Sequence, residues 1–183
     1  MGKNVVVITG SPRKGGNSDI LAEAFIEEAE KKGHKVQRFD SGRLKIGPCH
    51  ACNNCFKKGK PCVFDDDFNA IATAVQAADA VVFSMPTYWF SAPSNIKAVL
   101  DRMYSFLASG KIADIAGKKA AILACCMSED PAIMDDVKSP FIKSFAFLKW
   151  DCIGEVSVPK VANPGDVKNT DGCKQAAALA DLV

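Results

Sequence analysis

Apolar positions along the chain alternate between short unbroken runs and helical stripes. Val5-Val6-Val7-Ile8 is a continuous β-branched run, the pattern of a strand buried on both faces of a parallel sheet. The turn Gly10-Ser11-Pro12-Arg13-Lys14-Gly15-Gly16 follows, with Asn17 or Ser18 placed to cap a helix. That helix carries Ile20, Leu21, Ala24, Phe25 and Ala29 on one face and stops at Lys31-Lys32-Gly33. Lys35 to Phe39 predicts a second strand. Asp65-Asp66-Asp67 opens a second helix with acidic residues at its positive end, and Phe68, Ile71, Ala72 and Val75 form its stripe. Ala80 to Ser84 predicts a third strand, and Ile96, Val99, Leu100 and Met103 mark the next helix. Lys119 to Cys125 predicts a fourth strand, 131–149 a helix, Asp151 to Val158 a fifth strand, and the tail from Asp171 a closing helix.

Strands separated by helices mean βαβ units, hence an α/β fold with a parallel sheet and helices on both faces. The pattern gives one domain over 1–183, without internal repeat or interdomain linker. One stretch breaks the rhythm. Residues 41–65 hold Gly, Pro, Lys and clustered cysteines with no sustained period. Unstructured loops beyond about 12–15 residues are uncommon in compact domains, so a cysteine-rich insertion at about 46–64 reads as functional.

Composition narrows the partners. Of 183 residues, 48% are hydrophobic and 24% charged, an ordinary globular mix. A net charge of +2 gives no field for nucleic acid or a membrane surface. No apolar run approaches the roughly 18 residues of a membrane span. The apolar stretch Val5 to Ile8 ends in Gly-Ser-Pro and does not read as a secretory signal. The expected compartment is the cytosol, where the eight cysteines suit metal or redox chemistry better than disulfides.

In an open α/β sheet, ligands bind beyond the carboxyl ends of the strands, where strand order reverses. That singles out Ser11–Ser18, Met85–Ser91 and Cys126–Asp130. The first loop is built as an anion cradle. Gly15 and Gly16 let backbone approach closely, the helix start aims free N–H groups at it, and Ser11, Arg13, Asn17 and Ser18 add donors. It lacks the Gly-Lys-Ser/Thr of a Walker loop and the G-x-G-x-x-G fingerprint, so it suits a phosphate monoester. The plain alternative is a solvated strand-to-helix turn. The second loop carries Tyr88-Trp89-Phe90 between Pro86 and Pro93; these rings either meet a flat ligand or a subunit, or pack under neighbouring loops. Cradle and aromatic shelf together suit a planar mononucleotide, FMN.

Gly10 through Ser18 resembles the phosphate-loop signature of the NAD(P)H-dependent FMN reductase family, within the flavodoxin-like fold. Met85-Pro86-Thr87-Tyr88 through Lys97 and Asp101-Arg102 is similar to its flavin-ring loop and the helix behind it. The cysteine segment followed by Asp65-Asp66 resembles the iron–sulfur flavoprotein branch. The resemblance implies strand order 2-1-3-4-5, bound FMN, and a homodimer or homotetramer with the loop aromatics and cysteine segment at the subunit contact. Carried over, Ser11, Arg13, Gly16, Asn17 and Ser18 hold the phosphate, and Pro86, Thr87, Tyr88, Trp89 and Phe90 line the ring. Met127 and Ser128 follow in a loop where the family often has glycines. Electrons would pass from NAD(P)H or a protein donor through FMN to a quinone-like, azo or other small acceptor.

The four clustered cysteines run Cys49-x2-Cys52-x2-Cys55-x6-Cys62. Such a run resembles a [4Fe–4S] ligand set, although the ferredoxin pattern has a shorter last gap and a following proline. Tetrahedral zinc and metal-free thiols are the alternatives. Lys57, Lys58 and Lys60 nearby would favour thiolates. His50 among them and His34 at a helix end read as surface residues. Cys125 and Cys126 end a buried strand, one facing each side, with packing as their default role. With two histidines in the chain, hydrolytic triads are poorly supported. Two other readings stand beside the oxidoreductase: a flavodoxin-type electron carrier, and a zinc-binding interaction module without flavin.

Overall fold

In the computed structural model, which describes residues 2–183, the β-branched run becomes β1 (Asn4–Thr9), followed by α1 (Asn17–Lys31) and β2 (Lys35–Asp40). Then come α2 (Phe68–Ala77), β3 (Ala80–Pro86), α3 (Ser94–Arg102) and the short α4 (Tyr104–Ala108). The chain closes with β4 (Lys119–Cys125), α5 (Ile133–Leu148), β5 (Asp151–Val158) and α6 (Gly172–Ala178). Met1 lies outside the described residues. The five strands are all parallel, in the order β2-β1-β3-β4-β5 expected for a flavodoxin-like sheet. Among the described residues no helix is long and apolar enough to cross a membrane.

Alternation along the strands sends side chains to two separate cores. Val6, Ile8, Phe83 and Ile122 pack under α2, α3 and α5, where the Phe83 ring lies 5.0 Å from Phe141 and 5.8 Å from Phe145. Val5, Val7, Val82 and Leu123 pack under α1 and α6 against Leu21 and Phe25. Cys125 joins this second core and Cys126 the first, so the vicinal pair does straddle the sheet. A register shift between Ala120 and Ala121 sits opposite Gly154. A Cβ there would come within 2.5 Å of Leu179 Cδ2, so a larger residue at the bulge would have to displace that side chain.

Three local expectations change. The cap of α1 is Gly16, with no side-chain cap, because the Asn17 amide is engaged elsewhere. The buried stripe of α1 is Leu21, Ala22, Phe25, Ile26 and Ala29, with Ile20 and Ala24 only partly covered. The three aspartates precede α2 and none enters its first turn; Asp66 is drawn away by Arg102. Pro140 sits inside α5, which continues through it to Leu148.

Candidate functional site

The carboxyl ends of β1, β3, β4 and β5 open into one cleft of about 240 Å³. It lies where strand order reverses, since the chain passes from β2 on one side of β1 to β3 on the other. Ser11, Arg13, Gly16, Asn17 and Ser18 form one wall, Pro86, Thr87 and Tyr88 another, and Cys125, Cys126 and Met127 the floor and far side. Val161, Ala162 and Pro164 complete it. Trp89, Phe90 and Ser128 do not line this cleft.

The cradle wall is held from behind. The Gly15 N–H, at φ +70°, donates to Asp19 Oδ2 at 2.6 Å, and the Arg13 N–H donates to Ser11 Oγ at 3.1 Å. Asp19 is buried, and Arg38 on β2 pairs with it as well as with Glu23 and Asp40. Thr9 Oγ1 donates to Asp40 at 2.9 Å. Gly42 presses on the same loop: a Cβ there would sit 2.5 Å from the Ser11 carbonyl carbon. Asp19 is thereby neutralised by a cation on its far side, and the unpaired N–H groups of the first turn of α1 remain as anion donors.

Asn17 does more than line the cleft. Its Nδ2 donates to the carbonyls of Val161 (3.3 Å) and Asn163 (2.9 Å), and its Oδ1 accepts from the N–H groups of Gly165 (3.0 Å) and Val167 (3.2 Å). The side chain thus ties the start of α1 to the loop after β5. Sequence reasoning missed that loop; the signal was that β5 ends at the same sheet edge and runs into Asn163-Pro164-Gly165.

The aromatic loop is a tight turn closed by reciprocal bonds between Tyr88 and Ser91, at 2.9 and 3.0 Å. Trp89 (φ 48°) and Phe90 (φ 63°) both occupy the left-handed region, uncommon and strained for bulky residues and often found at functional sites. Trp89 is 93% exposed, Phe90 59% and Met127 75%, apolar side chains standing in solvent around the cleft. Thr87 N–H donates to the Cys125 carbonyl at 2.8 Å, while its buried Oγ1 has no partner. Burial, with Cys126 alongside, pushes the Cys125 thiol up to about 12, so it stays protonated. Burial also raises Cys126, whose Sγ donates to the Ser128 carbonyl.

A second site lies in the segment between β2 and α2. Cys49, Cys52, Cys55 and Cys62 all line one small cavity of about 20 Å³, together with His50, Phe64, Arg102, Tyr104 and Ser105. All four are free thiols, Cys49 and Cys52 exposed, Cys55 and Cys62 partly buried. Ala51, Asn53 and Phe56 take positive φ to coil the segment. Its base is a buried clamp. Arg102 donates to Asp66 at 2.5 and 2.9 Å and to the Gly47 carbonyl at 3.1 Å, and Gly47 N–H returns to Asp66 at 3.0 Å. The guanidinium lies 4.2 Å from the Phe68 ring centre. Asn69 accepts from Cys62 N–H at 2.8 Å and donates to the Phe64 carbonyl at 2.7 Å. Burial pushes the Asp66 carboxyl up, but Arg102 and the N–H groups of Gly47 and Phe68 together pull it below the ordinary range.

Two of the expected lysines are engaged elsewhere. Lys57 bonds Asn54 and Lys60 bonds Asp65, and the guanidinium of Arg102 lies beside Cys62 instead. Burial and then Cys62, Cys52 and Cys49 raise the Cys55 thiol. Among the described residues no three Cys, His, Asp or Glu side chains gather tightly enough to hold one metal ion. A tetrahedral zinc centre would need four sulfurs about 2.3 Å from a single point. Four thiols on one cavity are the donor chemistry of a multi-iron cluster, which the cavity, at about 20 Å³, would have to widen to hold.

A family model described as NADPH-dependent FMN reductase matches residues 3–142. An iron–sulfur flavoprotein of Archaeoglobus fulgidus is 35% identical over 101 residues, 55% of this chain and 46% of that protein. The chain spans about half the length of this and another curated relative it matches. Against an iron–sulfur flavoprotein of Methanocaldococcus jannaschii it is 25% identical over 185 residues, 98% of this chain and 94% of that protein. An azoreductase structure from Bacillus anthracis str. Sterne superposes with a TM-score of 0.75 at 19% identity, covering 99% of this chain and 100% of that one; at this identity the likeness shows the fold.

Proposed function

This chain belongs to the NADPH-dependent FMN reductase family, and from that premise we propose that it is an FMN-dependent oxidoreductase taking electrons from NAD(P)H or a protein donor and delivering them to a small quinone-like or azo acceptor. The observation that carries this is the single cleft in which the glycine-rich start of α1 faces the loop after β3. Bound there, FMN would supply the hydride and electron chemistry. The chain's own residues bind and orient. Ser11, Arg13, Gly16 and Ser18 would hold the phosphate together with the backbone N–H of Asn17, whose side chain is spent on the loop after β5. Pro86, Thr87 and Tyr88 would line the ring, with the unpartnered Thr87 Oγ1 free to bond its polar edge. Met127 would border it, and Ser128 would stand next to Met127 outside the cleft. No side-chain base is needed for hydride transfer.

The exposed Trp89 and Phe90 stand at the rim and would close over the ring from a second copy of the chain, in a homodimer or homotetramer. Cys49, Cys52, Cys55 and Cys62 would ligate a [4Fe–4S] cluster, supported by their shared cavity. Electrons could then enter or leave through that cluster as well as through NAD(P)H. Anaerobic purification tests both parts. Stoichiometric FMN by fluorescence after denaturation, with NAD(P)H oxidation dependent on a quinone or azo dye, is the expected result. A chain that takes up no FMN at saturating concentration overturns the reading. A flavin-loaded chain that reacts with protein electron carriers but not with NAD(P)H is a flavodoxin-type carrier instead.

A further inference from the structure

The cysteine cavity has an inner wall that its thiols do not use. Arg102 is 3% exposed and Ser105 likewise 3%, and both line the cavity. Each keeps a buried polar atom without a partner, Arg102 Nε and Ser105 Oγ. Leaving a buried donor unsatisfied costs about 1–3 kcal/mol, so two in one small cavity point to an acceptor that belongs there. Nη1 and Nη2 of Arg102 are both bonded to Asp66, and Nη1 also to the Gly47 carbonyl, which sets the plane of the guanidinium. Lys57 and Lys60 are engaged by Asn54 and Asp65, and the guanidinium of Arg102 lies beside Cys62. The guanidinium is also half of a pair with Asp66, so the net charge next to the sulfurs depends on both members.

We propose that Arg102 and Ser105 are the donors that set the reduction potential of the group bound by the four cysteines, with Asp66 as the residue that attenuates the Arg102 charge. The inference rests on the reading that this group is an iron–sulfur cluster. A one-electron reduction adds one negative charge to the sulfur set and breaks no bond; a cation and hydrogen bonds to sulfur favour the reduced form, and a nearby carboxylate opposes it. Arg102 and Asp66 therefore act in opposite senses, which a purely mechanical clamp would not do.

The test uses the full chain, reconstituted anaerobically with ferrous iron and sulfide and titrated with dithionite. Iron per chain and thermal melting are measured on every variant. Arg102→Gln is expected to lower the reduced-to-oxidised ratio at a fixed poise at least tenfold, about 59 mV for a one-electron couple. Asp66→Asn should raise it, Arg102→Lys should fall between wild type and Arg102→Gln, and Ser105→Ala should lower it by a smaller factor. If Arg102→Gln does not fold, the opposite shifts of Asp66→Asn and Ser105→Ala carry the test. Loss of iron in both Arg102→Gln and Asp66→Asn, with the remaining signal within twofold of the wild-type ratio, overturns the inference and leaves the cluster. A wild-type chain that takes up no iron overturns the cluster reading and the inference with it.

Discussion

The cleft at the sheet edge draws its walls from four loops that lie far apart in sequence, each delivered by a strand end. The cysteine cavity draws all but three of its lining residues from 48–64, and those three come from the end of α3 and the start of α4. The first is a product of topology: once the five strands pair, the loops must meet. The second is a graft, a coiled segment pinned at its base by one buried ion pair and at its far end by Asn69. Disturbing the scaffold should therefore remove both sites, whereas disturbing the clamp should remove one.

Phe83→Ala breaks the common part. It empties a site packed against two rings under the sheet and should cost about 3–5 kcal/mol, read by denaturant unfolding, with flavin and iron lost together. Arg102→Ala breaks only the graft. Removing one partner of a buried pair costs about 3–5 kcal/mol, and its main signature should be faster limited proteolysis within 48–64 while FMN remains bound. Retention of both sites, or loss of both, would erase the distinction. Asn17→Leu tests the other side. It deletes four hydrogen bonds to the loop after β5, each worth about 1 kcal/mol net. FMN affinity should fall at least tenfold with iron content unchanged.

Trp89→Ala should shift stability by no more than about 0.5 kcal/mol, as for other exposed positions, yet weaken self-association in sedimentation. The smallest effect is acidic. The Asp66 carboxyl titrates below its ordinary value, so its pairing contributes stability above about pH 4 and loses it as pH falls through the depressed value. Asp66→Asn should flatten that part of the acid unfolding curve.

Strand runs were legible because a buried parallel strand has a simple signature: Lys119–Cys125 and Asp151–Val158 fall where their apolar content puts them. The cradle was legible because glycine and small polar residues after a strand have few other uses. Less visible was anything made by residues distant in sequence. The Asn17 tie spans about 150 positions, and the Asp66–Arg102 clamp 36. A one-dimensional pattern shows Asn17 as a cap candidate because local geometry allows it; only the folded chain shows that four backbone groups of a remote loop compete for the same amide. Lys57 and Lys60 misled for a related reason, since each found a nearer oxygen partner.

The two tryptophans divide the labour of reporting on the molecule. Trp89 stands almost wholly in solvent, and Trp150 is buried 5.6 Å from the Phe145 ring with its indole N–H bonded to the Ile115 carbonyl. A soluble collisional quencher such as iodide reaches one indole and not the other. Quenchable emission therefore follows whatever covers the cleft rim, protected emission follows the integrity of the interior, and both can be recorded from a single unlabelled sample.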